Sequence, residues 1–211
     1  MCNISTNATA APREGDGCAN HHVAPLIRDN YPEYWGMHTY PADQCACIRK
    51  VAEDWGILGN FAPAELTVEG VKFNCTEQLF QMMKFRDAYI LNELHGLGGM
   101  GLKMKAKRYE TTHRRGDWGM IFIDVLKFCL QTKYEQCAAF RAELQRSAGL
   151  YIVEDQTSRP NRNPDAWGVK LRGDHYEGPN LLGELLMELR DNGRLNYHLP
   201  PDAMEFISLL Q

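Results

Sequence analysis

The chain lacks any run of eighteen apolar residues, which excludes a helix long enough to cross a bilayer. Its first twenty residues, Met1 to Asn20, have no apolar stretch of the kind a secretory signal needs. The triplets beginning at Asn3, Asn7 and Asn74 resemble glycosylation acceptors, and without such a signal they are expected to be idle. Strong charge of one sign is also missing. With 23 Lys and Arg against 27 Asp and Glu, the net charge of −4 argues against a protein that grips long nucleic acid through its overall field, and leaves room for a local basic patch to do so. Seven cysteines make an odd count without a disulfide-framework spacing, so reduced thiols and a cytoplasmic or nuclear setting are expected. Cys18, His21, His22 and the Cys45-x-Cys47 pair match no common zinc module. No internal repeat is visible.

What is there is an ordinary globular composition, 44% hydrophobic and 24% charged, at a length of 211 residues that suits one domain. Residues 1–45, rich in Ala, Asn, Gly and Pro, read as a flexible extension, although the patch Tyr31 to Met37 offers an apolar surface to pack back. Residues 46–211 carry sustained patterning. Strands are expected at Ile48–Val51, Glu65–Val68, Val71–Phe73 and Leu150–Val153, the middle two joined by a tight Glu69-Gly70 turn. Helices are expected from Asn74 to about Ala88, over Lys103–Arg108, from Asp117 through Cys129, over Glu135–Ser147, and from Gly178 onward. Gly96–Gly101 reads as a loop, and so does Glu154–Pro164. The fold class is α+β, a helix-dominated single domain with a small β-sheet.

Two polar stripes stand out on apolar helices. Glu77, Gln81 and Lys84 recur at helical spacing among Leu79, Phe80, Met83 and Phe85. Glu77 also lies three residues after Asn74, so it reads either as a capping-box glutamate or as a site carboxylate. The second stripe is Gly178, Asn180, Gly183 and Met187. A glycine in mid-helix costs about 1 kcal/mol relative to alanine, which implies that something packs closely against Gly183. Asn180 at a helix N-terminus suits an anion or is an ordinary cap. Trp118 and Trp167 are core residues or stacking platforms, and Trp167 sits next to Asp165 in a loop-like stretch. The basic run Lys103, Lys105, Lys107, Arg108, His113, Arg114 and Arg115 is a solvated face or a phosphate contact.

As an ordered set these motifs resemble the NADAR family. The matching elements are Asn60-Phe61, Glu77-x-x-x-Gln81-x-x-Lys84-Phe85, Trp118, Lys127-Phe128, Val153-Glu154, Asp165-x-Trp167-Gly168 and Gly178-x-Asn180-x-x-Gly183-x-x-Leu186-Met187-x-x-Arg190. They span roughly residues 47–195. Gly59 stands where a serine often precedes Asn-Phe, Gln78 where a histidine often follows the glutamate, and Asp165 lies one residue closer to the tryptophan than in some members. The resemblance implies an N-glycosidase that removes ADP-ribose from guanine in nucleic acid, or one that breaks ribosylaminopyrimidine intermediates of riboflavin synthesis, with no metal or redox cofactor. A monomer is expected, with free ADP-ribose as product and no membrane partner. A non-catalytic reader of ADP-ribose or NAD is the alternative from another class. Under the catalytic reading, Glu77 stabilises positive charge on the sugar and orients water, Lys84 forms a Schiff base, and Asp165 orients a hydroxyl or ring nitrogen. Asn60, Phe61, Gln81, Arg108, Arg114, Trp118, Trp167, Gly178, Asn180 and Gly183 are the expected substrate contacts.

Overall fold

A computed structural model describes residues 24–210. The Cys18, His21 and His22 group and the triplets at Asn3 and Asn7 lie outside the described residues. Eight helices and seven strands follow one another along these residues. They are α1 (Ala24–Asn30), β1 (His38–Pro41), β2 (Cys45–Ile48), β3 (Leu66–Val68), β4 (Val71–Phe73), α2 (Thr76–Met82), α3 (Ala88–His95), α4 (Gly99–His113), α5 (Trp118–Gln136), α6 (Ala138–Arg146), β5 (Tyr151–Glu154), β6 (Lys170–Arg172), β7 (His175–Gly178), α7 (Leu181–Asn192) and α8 (Glu205–Ser208). The result is a helix-dominated α+β architecture with small sheets, as expected.

The core gathers around α5. The expected face of Trp118, Ile121, Phe122, Val125 and Cys129 is buried, and so are Ile123, Leu126 and Leu130. A helix that is apolar nearly all round belongs at the centre of a fold. Leu181, Leu182, Leu185, Leu186 and Leu189 of α7 bury the face that the sequence marks as apolar. Phe73, Leu79 and Met82 close the core from the β4–α2 side.

The sheet is divided. Strands β1, β7 and β6 form an antiparallel sheet in that order, β2 pairs in parallel with β5, and β3 with β4 makes a hairpin. The hairpin turn is tight, with Gly70 at φ 82. Strand β2 lies three residues earlier than the Ile48–Val51 segment suggests, because Cys45 to Ile48 register against Tyr151 to Glu154. The β6–β7 hairpin lies between the expected Glu154–Pro164 loop and the closing helix, where no strand is expected; it buries Lys170, Tyr176 and Gly178 and turns Leu171 and Arg172 outward.

The stretch from Ala24 to Gln44 is packed on the domain rather than loose. Ile27 and Tyr31 are buried, the Tyr31 ring stands edge-on to Phe122 at 5.5 Å, and β1 pairs with β7. The helices also differ in extent: α7 begins at Leu181 rather than at Gly178, because Gly178 ends β7, and α5 runs on to Gln136. Helix α4 starts inside the glycine-rich segment and runs to His113, anchored by buried Leu102 and Ala106. Helix α2 stops at Met82 because Asp87 begins a new helix, its carboxylate accepting the amide of Ile90 at 3.0 Å.

Candidate active site

The structure separates the two readings of Glu77. A capping-box glutamate would accept the backbone amide of Asn74. That amide is instead taken by the side chain of Gln78 at 2.7 Å, and the Gln78 amide group donates onward to the carbonyls of His95 and Leu97. Glu77 is thereby released from capping. Its carboxylate, 5% exposed, accepts from Gln81 at 2.8 Å and faces the Lys103 ammonium at 3.7 Å. The backbone amide of Glu77 donates to the carbonyl of Asn60 at 2.9 Å, which locks the Asn60-Phe61 loop to the start of α2. Phe61 lies beneath Lys103, with the ammonium 5.4 Å from the ring centre.

Lys84 lies two residues past the end of α2 and is 7% exposed. Its ammonium sits 5.4 Å from the Phe80 ring centre and 5.5 Å from that of Trp118, and it reaches Glu110 on α4 at 2.5 Å. Burial lowers its proton affinity below the ordinary lysine value, while Glu110 and Glu77 pull it up and Lys103 pushes it down. The Phe80 ring stacks obliquely on Trp118 at 5.3 Å and meets Trp167 edge-on at 6.0 Å, so both tryptophans join the same aromatic wall. Trp118 is buried, whereas Trp167 is half-buried and also packs on Phe122.

The end of β5 supplies a second carboxylate. Burial pushes the Glu154 carboxyl above the usual range and neighbouring Asp165 adds to the effect, with Arg159 and Lys103 drawing it back. Arg159 bridges Glu154 at 2.7 Å and Asp165 at 2.8 Å. Asp165 also accepts from the Gln156 side chain and from the amide of Trp167, which fixes the loop that carries the ring. Asp165 thus has protein partners on both oxygens.

Three of the expected contacts have a structural role. Asn180 is fully buried in a left-handed conformation (φ 55), and its side chain donates to the carbonyl of Ile152 at 2.9 Å and accepts the amide of Glu154 at 3.1 Å. It serves as a partner for the edge of β5. Gly183 is needed because a Cβ there would stand 2.0 Å from the carbonyl oxygen of Ile152. Gly178 lies against the Gly168 carbonyl, 2.3 Å from where a Cβ would be. Arg108 and Arg114 are exposed, and among the described residues no hydrogen bond or ion pair joins their side chains to the Glu77 cluster. Arg115 is committed to Asp117 and Asp202. Glu110, Glu154 and Arg159 enter the site without having been singled out for a role there, and Lys103, expected only as part of the basic run, joins them beside Glu77. Glu154 ends a motif, and Lys103 and Glu110 lie seven apart on α4, the only hint their spacing offers.

A buried acid and a buried amine between aromatic rings, on a helix-dominated α+β frame, define a glycosidase-type enzyme once the relatives are considered. Residues 48–194 match the NADAR domain, and the chain belongs to the NADAR family. It is 31% identical over 140 residues to the N-glycosidase YbiA of Escherichia coli, covering 66% of this chain and 82% of that protein. It is 27% identical over 156 residues to a riboflavin biosynthesis protein of Vibrio vulnificus, covering 74% of this chain and 40% of that longer protein. The solution structure of E. coli YbiA superposes with a TM-score of 0.58 at 29% identity, over 71% of this chain and 84% of the other. Among the described residues no helix is long and apolar enough to cross a membrane, and no group of three or more His, Cys, Asp or Glu is placed to hold a metal ion.

Proposed function

We propose that the protein is an N-glycosidase that removes ADP-ribose from guanine bases of nucleic acid, working through Glu77 and Lys84. The observation that carries this reading is the enclosure of the Lys84 amine between Phe80 and Trp118, within electrostatic reach of the Glu77 carboxylate, which is freed of capping. Cleaving a ribosyl–nitrogen bond builds positive charge at C1 of the sugar. Glu77 stabilises that charge and orients water. An exocyclic glycosylamine opens its ring to an imine, which the Lys84 amine attacks to form its own Schiff base, and water then releases ADP-ribose. Trp167 flanks the base, and Asp165 holds the ring of that tryptophan in place. The exposed cations Lys107, Arg108 and Arg114 give the strand a local basic face despite the negative net charge.

The test is incubation with an oligonucleotide carrying ADP-ribose on guanine, with mass spectrometry of the products. Free ADP-ribose and intact guanine are expected, with and without chelator. Cleavage confined to ADP-ribosylated protein side chains, or activity that disappears with chelator, overturns the reading. A second reading is cleavage of ribosylaminopyrimidine intermediates. It is favoured by the name of the Vibrio relative, and faster turnover of those nucleotides would establish it.

A further inference from the structure

Glu110 is absent from every motif that marks the family resemblance, yet among the described residues it is the one carboxylate in contact with the Lys84 amine. The groups facing that amine are Glu110 and Lys103 from α4, Glu77 from α2, and the Phe80 and Trp118 rings. Glu77 is occupied by Gln81 at 2.8 Å and faces Lys103 at 3.7 Å. Glu110 meets Lys84 at 2.5 Å, and its side chain keeps 29% of its surface open against 8% for that of Lys84, so Glu110 is the more direct route for a proton between the amine and water. A lysine attacks carbon only after giving up a proton, and a buried one needs an acceptor within hydrogen-bond reach.

We propose that Glu110 is the proton-transfer partner of Lys84 in a covalent route, an inference that rests on the Schiff-base reading above. The protons balance as follows for the exchange of the protonated base imine, formed when the ring oxygen takes up a proton on opening, for the lysine iminium. The Lys84 ammonium gives a proton to the Glu110 carboxylate, and the freed electron pair forms the Nζ–C1 bond while the imine π pair returns to the base nitrogen. Of the three ammonium protons, one rests on Glu110, one goes to the departing amine and one stays on the new lysine iminium. The C1–base nitrogen bond breaks with its pair on the base. Water then supplies the C1 oxygen, and its two hydrogens restore the ammonium. Glu110 releases its proton to replace the one consumed when the sugar ring opened.

The experiment uses the full chain and the guanine-ADP-ribosylated oligonucleotide under single-turnover conditions across pH 5 to 9, with borohydride added in parallel to reduce the imine. Glu110→Gln is expected to slow release about 10²- to 10⁴-fold at every pH, the range typical of general acid–base catalysis, with KM little changed. The rate of adduct formation at Lys84 should fall in step. Glu110→Ala with added formate should regain a measurable part of the rate, which a purely structural role would not allow. A Glu110→Gln enzyme at wild-type rate overturns the inference. So does a variant whose only change is a downward move of the acid limb, because that marks Glu110 as a charge that merely holds the ammonium. Absence of formate rescue also counts against it. If the wild-type enzyme cleaves without ever yielding a borohydride adduct, the covalent reading itself fails. If it yields the adduct while Glu110→Gln is unimpaired, only the role of Glu110 fails.

Discussion

Replacing Gly183 by alanine asks whether this glycine serves the packing of α7 on β5 or the approach of a ligand. The new Cβ would stand 2.0 Å from the carbonyl oxygen of Ile152 and 2.4 Å from the Asn180 side-chain nitrogen, where ordinary contact begins at 3.4 Å. Both neighbours are held: the first is strand backbone, and the second is fixed by its own bonds to β5. Helix α7 must therefore retreat. Overpacking of this kind costs about 1–3 kcal/mol. Weakening the two Asn180 hydrogen bonds adds about 1 kcal/mol for each. The better helix propensity of alanine returns about 1 kcal/mol. The net loss is roughly 2–4 kcal/mol, which at this chain length lowers Tm by about 4–16 °C. Thermal melts followed by tryptophan fluorescence, at one protein concentration, read this directly. An unchanged Tm combined with a raised KM would refute the packing account and place Gly183 beside the substrate.

Trp167→Ala should both weaken ligand binding and lower Tm, because the half-buried ring packs edge-on against Phe80 and Phe122; a fall in Tm with unchanged affinity would assign the ring wholly to the core. Lys84→Arg keeps the charge but cannot readily form an imine, so it should be nearly inactive, and peptide mapping of the borohydride-trapped wild type should find the added mass at Lys84; full activity in the arginine variant excludes the covalent route. Lys133, fully buried, donates to the carbonyls of Ile57 and Gly59, and burial brings its pKa from 10.5 down to about 8. Because the unfolded chain binds more protons between those values, this group raises stability as pH climbs through that window, by about 3 kcal/mol at most. Urea unfolding at pH 7.5 and pH 10 should show wild type gaining on Lys133→Met, and parallel changes in the two proteins would contradict this.

Much of the frame was legible because it rests on local pattern. The apolar positions of α5 and α7 and the Glu69-Gly70 hairpin follow from periodicity and turn chemistry. The polar stripe on α2 was visible for the same reason. The choice between a capping and a free Glu77 was not, because it depends on Gln78 taking the Asn74 amide and reaching across to α3. Asn180 illustrates the opposite failure. An amide at a helix start looks ready for an anion, and only tertiary structure reveals that a strand edge consumes both of its polar atoms. The β6–β7 hairpin was not legible because its strands are only three and four residues long and carry no run of apolar alternation, although Gly173-Asp174 between them is a two-residue turn signal. Glu110 has no sequence signature at all. Its role depends on how α4 lies across the end of α2, a long-range contact that spacing along one helix does not encode.

The central claim is that Glu77 acts on the sugar rather than on the helix end. The most direct measurement is the single-turnover release of ADP-ribose from guanine-modified oligonucleotide by wild type and Glu77→Gln, with a melting curve for each. Since Gln78 already caps Asn74, the variant should keep its fold, with Tm within a few degrees, and should lose rate by several orders of magnitude. A Glu77→Gln protein that releases ADP-ribose at close to the wild-type rate would contradict the account.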